Sequence, residues 1–255
     1  MEELKDRLPI AWLEKRTILL TLTGSHAYGT NVKTSDKDYK GICVPPQEYY
    51  LGLDSFNEYN NTGGKNFKNT MYDMDISIMH INKFVKDALN GVPNNIEILF
   101  TNEEHILKCN HFGKELISHR QDFLSKALKH KFGGYAYSQM KKIGIKSSNG
   151  TGRQDLIQKW GYDVKMAMHS VRLLTSAIEI LQTGTFSTYR TNREELVAIR
   201  NGKYTEKEIM CYIKELDSEL EDLYKTSNKI PHKPNYKKIN EWLIELNKDA
   251  LSKVW

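Results

Sequence analysis

Two short strings carry most of the chemistry in this chain. In "GSHAYGTNVKTSDKDYKGI", ten residues separate Gly24-Ser25 from Asp36, and Asp38 follows two positions further on. A glycine at the end of a strand lets the backbone turn sharply. The serine after it offers a hydroxyl and N–H donors at the start of a short helix, where the helix dipole favours an anion. Residues two apart in a strand project together, so Asp36 and Asp38 crowd two carboxylates that repel unless a cation lies between them. Oxygen-only donors suit Mg²⁺ or Mn²⁺. A third carboxylate, Asp75, falls in "TMYDMDISIM", where Met71, Asp73, Asp75 and Ser77 alternate onto one face. Aspartates sharing a sheet face are unfavourable without a cation. Three such carboxylates suit a two-metal site that aligns a nucleophilic hydroxyl with an α-phosphate and stabilises the leaving pyrophosphate. Either string alone is an ordinary turn signal. Their joint spacing in a strand–turn–strand pattern points to phosphoryl chemistry.

The elements that must position these groups are legible in outline. "RTILLTLTG" is a β-branched apolar run ending at Gly24, and "DYKGICV" is a second strand stopped by Pro45-Pro46. "NEYNNTGGKN" reads as a polar loop, "TMYDMDISIM" as an alternating strand and "NNIEILF" as a further short strand. "INKFVKDALNG" is a helix closed by Gly91, with Pro93 barring its continuation. From about residue 102 the pattern turns helical. "GRQDLIQKWGYDVKMAMHSVRLLTSAIEILQTG" has helical apolar spacing and ends at Gly184, while Thr205-x-x-Glu208 is a capping box. "YKKINEWLIELNKDALSKVW" is a last amphipathic helix. The order of elements predicts an α+β fold of two lobes.

The bulk numbers agree with a soluble globular protein. The 255 residues are 39% hydrophobic and 27% charged, with no apolar run of membrane-spanning length and no signal-peptide pattern at the N-terminus. Cys43, Cys109 and Cys211 are odd in number, far apart and without zinc-finger spacing. A reducing, cytoplasmic setting is expected. Residues 1–115 hold 13 Lys and Arg against 16 Asp and Glu, a balance of −3; residues 116–255 hold 24 against 16, a balance of +8. An acidic metal site facing a basic surface that grips phosphates would produce this asymmetry, and so would solvated lysine-rich helices.

Gly24-Ser25, the ten-residue gap, Asp36-x-Asp38 and a downstream Asp75 resemble the active-site signature of the DNA polymerase beta nucleotidyltransferase superfamily. The fuller series "GSHAYGT…SDKDYKGICVPP…YYLGL", "KF…LNGVPNNIEILF" and "KMAMHSVRLL", with the later "EEL" and "IR.G", is similar to its RNA-ligase-associated, polymerase-beta-like branch, over roughly residues 17–202. The resemblance implies a mixed-sheet nucleotidyltransferase core with a C-terminal helical lobe. It places a catalytic domain at 1–115 and a nucleotide- and RNA-binding lobe at 116–255. It also implies Mg²⁺ (or Mn²⁺) as cofactor and an NTP such as ATP as substrate. Gly24 and Ser25 would hold the triphosphate, Asp36 and Asp38 the metal, and Asp75 would be the third ligand and base. Asp73 shares its strand face, but the family register favours Asp75. Lys37 departs from the apolar residue usual between the two aspartates, and its side chain should point away from them.

In the second lobe, Tyr162, Lys165, His169 and Arg172 fall on one helical stripe beside Val164, Met168, Val171 and Leu174. Lys165, His169 and Arg172 are read as contacts to triphosphate or RNA phosphate, against a solvated basic face. Tyr28, within the phosphate turn, is a nucleotide-binding candidate or a packing residue, as is His26. Tyr135, Gln139 and Lys142 could stack on a base or simply cover the surface. Arg190 has no assigned place. The expected activity is transfer of a nucleoside monophosphate to an acceptor hydroxyl, an RNA or tRNA 3′ end, with release of pyrophosphate. The alternatives are a protein or small-molecule nucleotidyltransferase of toxin–antitoxin type and a non-catalytic nucleotide or RNA sensor. No membrane partner is expected.

Overall fold

The apolar run after Arg16 forms the central strand β1 (Thr17–Thr23), preceded by one turn of helix α1 (Leu13–Arg16) and followed by the five-residue α2 (Gly24–Tyr28). The computed structural model describes residue 8 and residues 10–33, 35–61, 74–143 and 154–253. Strand β2 (Lys37–Cys43), the short helix α3 (Glu48–Leu51), β3 (Glu58–Asn60) and β4 (Met74–His80) follow, and with β5 (Ile106–Cys109) the described residues form a five-stranded sheet in the order β3-β4-β2-β1-β5. β2 and β4 are parallel and the other neighbours antiparallel, so the sheet is mixed and the fold α+β.

Three local readings need correction. "NEYNN" contains strand β3, which pairs with β4, rather than only loop; the rest of that loop, from residue 62, lies outside the described residues, as do Met71 and Asp73. "NNIEILF" is not a strand: Pro93–Leu99 is helix α5, after α4 (Ile81–Leu89). Its apolar run is buried on nearly every side, which erases the amphipathic period, and Pro93 takes the first helical position, where its missing N–H costs nothing. Strand β5 lies in a stretch that reads as helical, and pairing with β1 overrides that weak local preference.

One face of the sheet carries Leu20, Tyr39, Cys43, Ile76 and Ile78, which form a core with Leu13. Helix α6 (His111–Ser118) packs on β1, while α4 contacts β2 and β4. The helices that follow are α7 (Leu128–Ile143), α8 (Gln154–Trp160), α9 (Val164–Thr183), α10 (Arg193–Arg200), α11 (Glu206–Thr226) and α12 (Tyr236–Ser252). The long helical pattern from residue 152 is in fact two helices. Gly161 breaks it at φ +82°, and Asp163 restarts it by accepting from the backbone N–H groups of Lys165 and Met166, each at 3.0 Å. The capping box at Thr205 and Glu208 is present, and Gly184 ends α9 in the left-handed conformation.

The chain forms two compact units. The first comprises Met1–Leu89, Asn94–Phe123 and Asn235–Trp255; the second comprises Asn90–Pro93 and Leu124–Pro234. Helix α12 thus packs in the sheet unit, where the Trp242 indole donates to Glu115 at 3.1 Å and the Lys238 ammonium meets Asp122 at 2.9 Å. In the helical unit, α9 is the hub and touches α7, α10 and α11. Val164, Met168, Val171 and Leu174 of α9 are all buried, as their stripe predicts. Cys43, Cys109 and Cys211 are free thiols, and no described helix is long and apolar enough to cross a membrane.

Candidate active site

Strand pairing builds the site. Because β2 and β4 run parallel with Asp38 opposite Asp75, the two carboxylates leave the same face of adjacent strands. Asp36 precedes β2 by one residue and is two before Asp38. Each of the three offers a carboxylate oxygen within 4.8 Å of the others, with Asp75 buried and Asp36 and Asp38 half-buried. Lys37 is exposed and registers with Met74, off the carboxylate row.

The polar face is ordered in three rows across β1, β2 and β4. Thr23, Asp38 and Asp75 form the row at the site; Thr21, Lys40 and Ser77 form the next; Leu19, Ile42 and Met79 form the third. Thr23 and Thr21 Oγ1 donate to the backbone oxygens of Asp38 and Lys40, both at 3.2 Å, which fastens β2 to β1 at the site. Ser77 Oγ donates to Glu58 Oε1 at 2.8 Å, and Glu58 also pairs with Lys83 at 3.4 Å.

The turn into α2 abuts this row. Gly24 has φ +66°, and a Cβ on it would stand 2.0 Å from Asp38 Oδ2. The glycine therefore serves both the left-handed turn and the close approach of the carboxylate. Ser25 O accepts from the N–H of Thr30 at 2.9 Å and, with His26 O, from that of Gly29, closing the turn. The Tyr28 hydroxyl donates to Glu97 Oε2 at 2.6 Å, both side chains being buried. That bond ties α2 to α5, so this face of Tyr28 holds the turn. His26 Nε2 is buried with no hydrogen-bond partner among the described residues.

The three oxygen donors fit a hard divalent cation, and a buried ring nitrogen without a partner in the adjoining turn fits a site that receives a polar ligand.

In the helical unit, Lys165 and His169 are half-buried on α9 and Arg172 is 5% exposed, so a solvated basic face does not describe them. Tyr162 lies before the helix starts, and its buried hydroxyl donates to Tyr204 O at 2.8 Å. On α7, Tyr135 is exposed and Gln139 half-buried; the side chain of Lys142 lies outside the described residues. Tyr137, which the sequence did not single out, is also exposed, with the Lys141 ammonium 4.6 Å from its ring centre.

Arg190 is a buried structural residue. Its Nη1 meets Glu179 Oε2 at 2.6 Å and Ser187 O at 2.9 Å, and Ser187 N–H donates to Glu179 Oε1 at 3.2 Å. Arg190→Ala would strand the Glu179 carboxylate and should destabilise the protein by on the order of 3 kcal/mol. Denaturant unfolding checks this, with Arg190→Met plus Glu179→Met expected to recover most of the loss.

Residues 2–245 match the model of the RNA repair pathway DNA polymerase beta family. An uncharacterized 38.9 kDa protein from the nrdC–mobD intergenic region of Enterobacteria phage T4 is 30% identical over 146 residues, 56% of this chain and 43% of that relative. The chain thus matches less than half the length of this curated relative. A nucleotidyltransferase-like protein from Exiguobacterium sibiricum 255-15 aligns over 89% of this chain and 72% of its own, with 9% identity and a TM-score of 0.31. That likeness is too weak to bear on fold or activity.

Proposed function

The chain belongs to the RNA repair pathway DNA polymerase beta family, a nucleotidyltransferase family, and on that premise we propose that it transfers a nucleoside monophosphate from an NTP to an acceptor hydroxyl. The observation that carries the proposal is the convergence of Asp36, Asp38 and Asp75 within 4.8 Å beside the Gly24 turn. A pure binder has no need for carboxylates clustered against their own repulsion. The acceptor oxygen bonds to the α-phosphorus, the bond from that phosphorus to the α,β-bridging oxygen breaks, and pyrophosphate leaves. Asp75 takes the hydroxyl proton. Asp36, Asp38 and Asp75 would hold Mg²⁺ or Mn²⁺, which when bound supplies the positive charge that phosphoryl transfer requires. Gly24 and Ser25 take the triphosphate, with Tyr28 holding their turn against Glu97.

The acceptor is an RNA or tRNA 3′ end, a reading supported by the family's place in RNA repair and by the +8 balance of residues 116–255. Residues 1–115 form the catalytic domain. Residues 116–255 bind nucleotide and RNA through Lys165, His169 and Arg172, apart from residues 116–123 and 235–255, which belong to the sheet unit. The test incubates the protein with Mg²⁺, each α-labelled NTP and total RNA or cell extract. Label in RNA is the expected result, and label in a protein band would replace the RNA acceptor with a protein one. Nucleotide binding without incorporation anywhere would overturn the enzymatic reading in favour of a sensor.

A further inference from the structure

Lys40 stands in the middle row of the polar face, between the apolar row of Leu19, Ile42 and Met79 and the carboxylate row. It is half-buried, and its partners in register, Thr21 and Ser77, are neutral hydroxyl residues. The carboxylate that Ser77 reaches, Glu58, is engaged by Lys83 and by Ser77 itself. Along the strand, Ile42 lies on one side and Asp38 on the other, with Asp75 opposite Asp38. A half-buried ammonium is stabilised by an opposite charge beside it. On the same strand face Asp38 stands two residues away with Asp75 opposite it, a separation that a flexible four-carbon stem can span.

We propose that Lys40 is a positioning residue that acts as the resident counter-charge of Asp38 and Asp75, so that a divalent ion must compete with it and loads tightly only together with a nucleotide. In the nucleotide-free protein the ammonium offsets the repulsion among the carboxylates and holds their side chains toward one another. It also raises the potential that an incoming cation meets. When the ion arrives with a triphosphate, the phosphate oxygens give the ammonium a second set of negative partners and the competition is relieved. Ion and nucleotide are then positively coupled, each tightening the other by the same factor. The inference rests on the carboxylate site of the proposed function and adds the order in which that site is filled.

The sign of the effect sets this role apart from a merely structural one. Damage to the site weakens ion binding, whereas removal of a competing cation strengthens it. Mn²⁺ is titrated into nucleotide-free protein and followed by electron paramagnetic resonance, then again with a non-hydrolysable NTP analogue. Lys40→Gln should tighten Mn²⁺ binding about tenfold, the Coulomb factor for a monovalent and a divalent cation about 6–7 Å apart at the dielectric of water. The extra tightening produced by the analogue should shrink by about the same factor, and Lys40→Arg should restore parental behaviour on both counts. Unchanged or weaker Mn²⁺ binding in Lys40→Gln, with binding still abolished by Asp75→Asn, would overturn the role of Lys40 and leave the carboxylate site standing. Mn²⁺ binding indifferent to Asp75→Asn would refute the site itself, and this inference with it.

Discussion

Asp36→Ala combined with Asp38→Ala is expected to lower nucleotide transfer by at least ~10³-fold, since several kcal/mol of transition-state stabilisation depend on charge held at those carboxylates. The same variant should unfold at a temperature no lower than the parent. Three carboxylates within 4.8 Å repel one another, and removing two relieves that repulsion. The hydrogen bond that fixes this part of β2 to β1 is accepted by the backbone of Asp38, so it survives the substitution. Single-turnover transfer and thermal unfolding, measured on one preparation, check both halves. Turnover at the parental rate would show that the ion-binding assignment is wrong.

The second large effect is expected from a single methyl group. Gly24→Ala places a Cβ 2.0 Å from Asp38 Oδ2 and 2.9 Å from its Cγ, on a backbone held at φ +66°. The left-handed conformation costs a non-glycine residue about 1–2 kcal/mol. The clash itself is relieved cheaply, because a terminal carboxylate can swing aside, but the swing takes an oxygen out of the triad. Stability should therefore fall only modestly while transfer drops on the order of 10²-fold, the usual consequence of moving a reacting-centre group by about 1 Å. Mn²⁺ affinity should fall in parallel. Gly134→Ala is the control: nothing lies within 4 Å of its Cβ position on α7, and the change should add about 0.5–1 kcal/mol of stability without altering transfer. Parental activity in Gly24→Ala would mean that Asp38 can serve from a different rotamer.

The carboxylate cluster was legible in part from the sequence: type and spacing single out Asp36 and Asp38 after Gly24-Ser25, whereas the choice of Asp75 over Asp73 on one strand face came from the family resemblance. Lys40 was legible only in part. Its two-residue step from Asp38 is plain in "DYK", but its meaning depends on the hydroxyl neighbours that two other strands bring beside it. Arg190 could not be placed because its partner Glu179 is eleven residues back on another element. The short helix α5 was hidden because burial on nearly every side removes the periodicity that distinguishes helix from strand.

What the chain determined by itself was local: the turn at Gly24, the alternation of Asp36 with Asp38 and of Asp75 with Ser77, the cap at Thr205 and the stop at Gly184. Each depends on sterics and hydrogen bonds reaching only a few residues, and those are written in residue type. Tertiary structure alone decided that β2 lies parallel to β4 with Asp38 opposite Asp75, that β5 closes one edge, and that Asn235–Trp255 returns to the sheet unit. Register is a long-range property, set by which apolar faces must be buried together. A slip of one residue would send Asp75 to the face of Ile76 and Ile78, burying its charge in the core and taking it from the site.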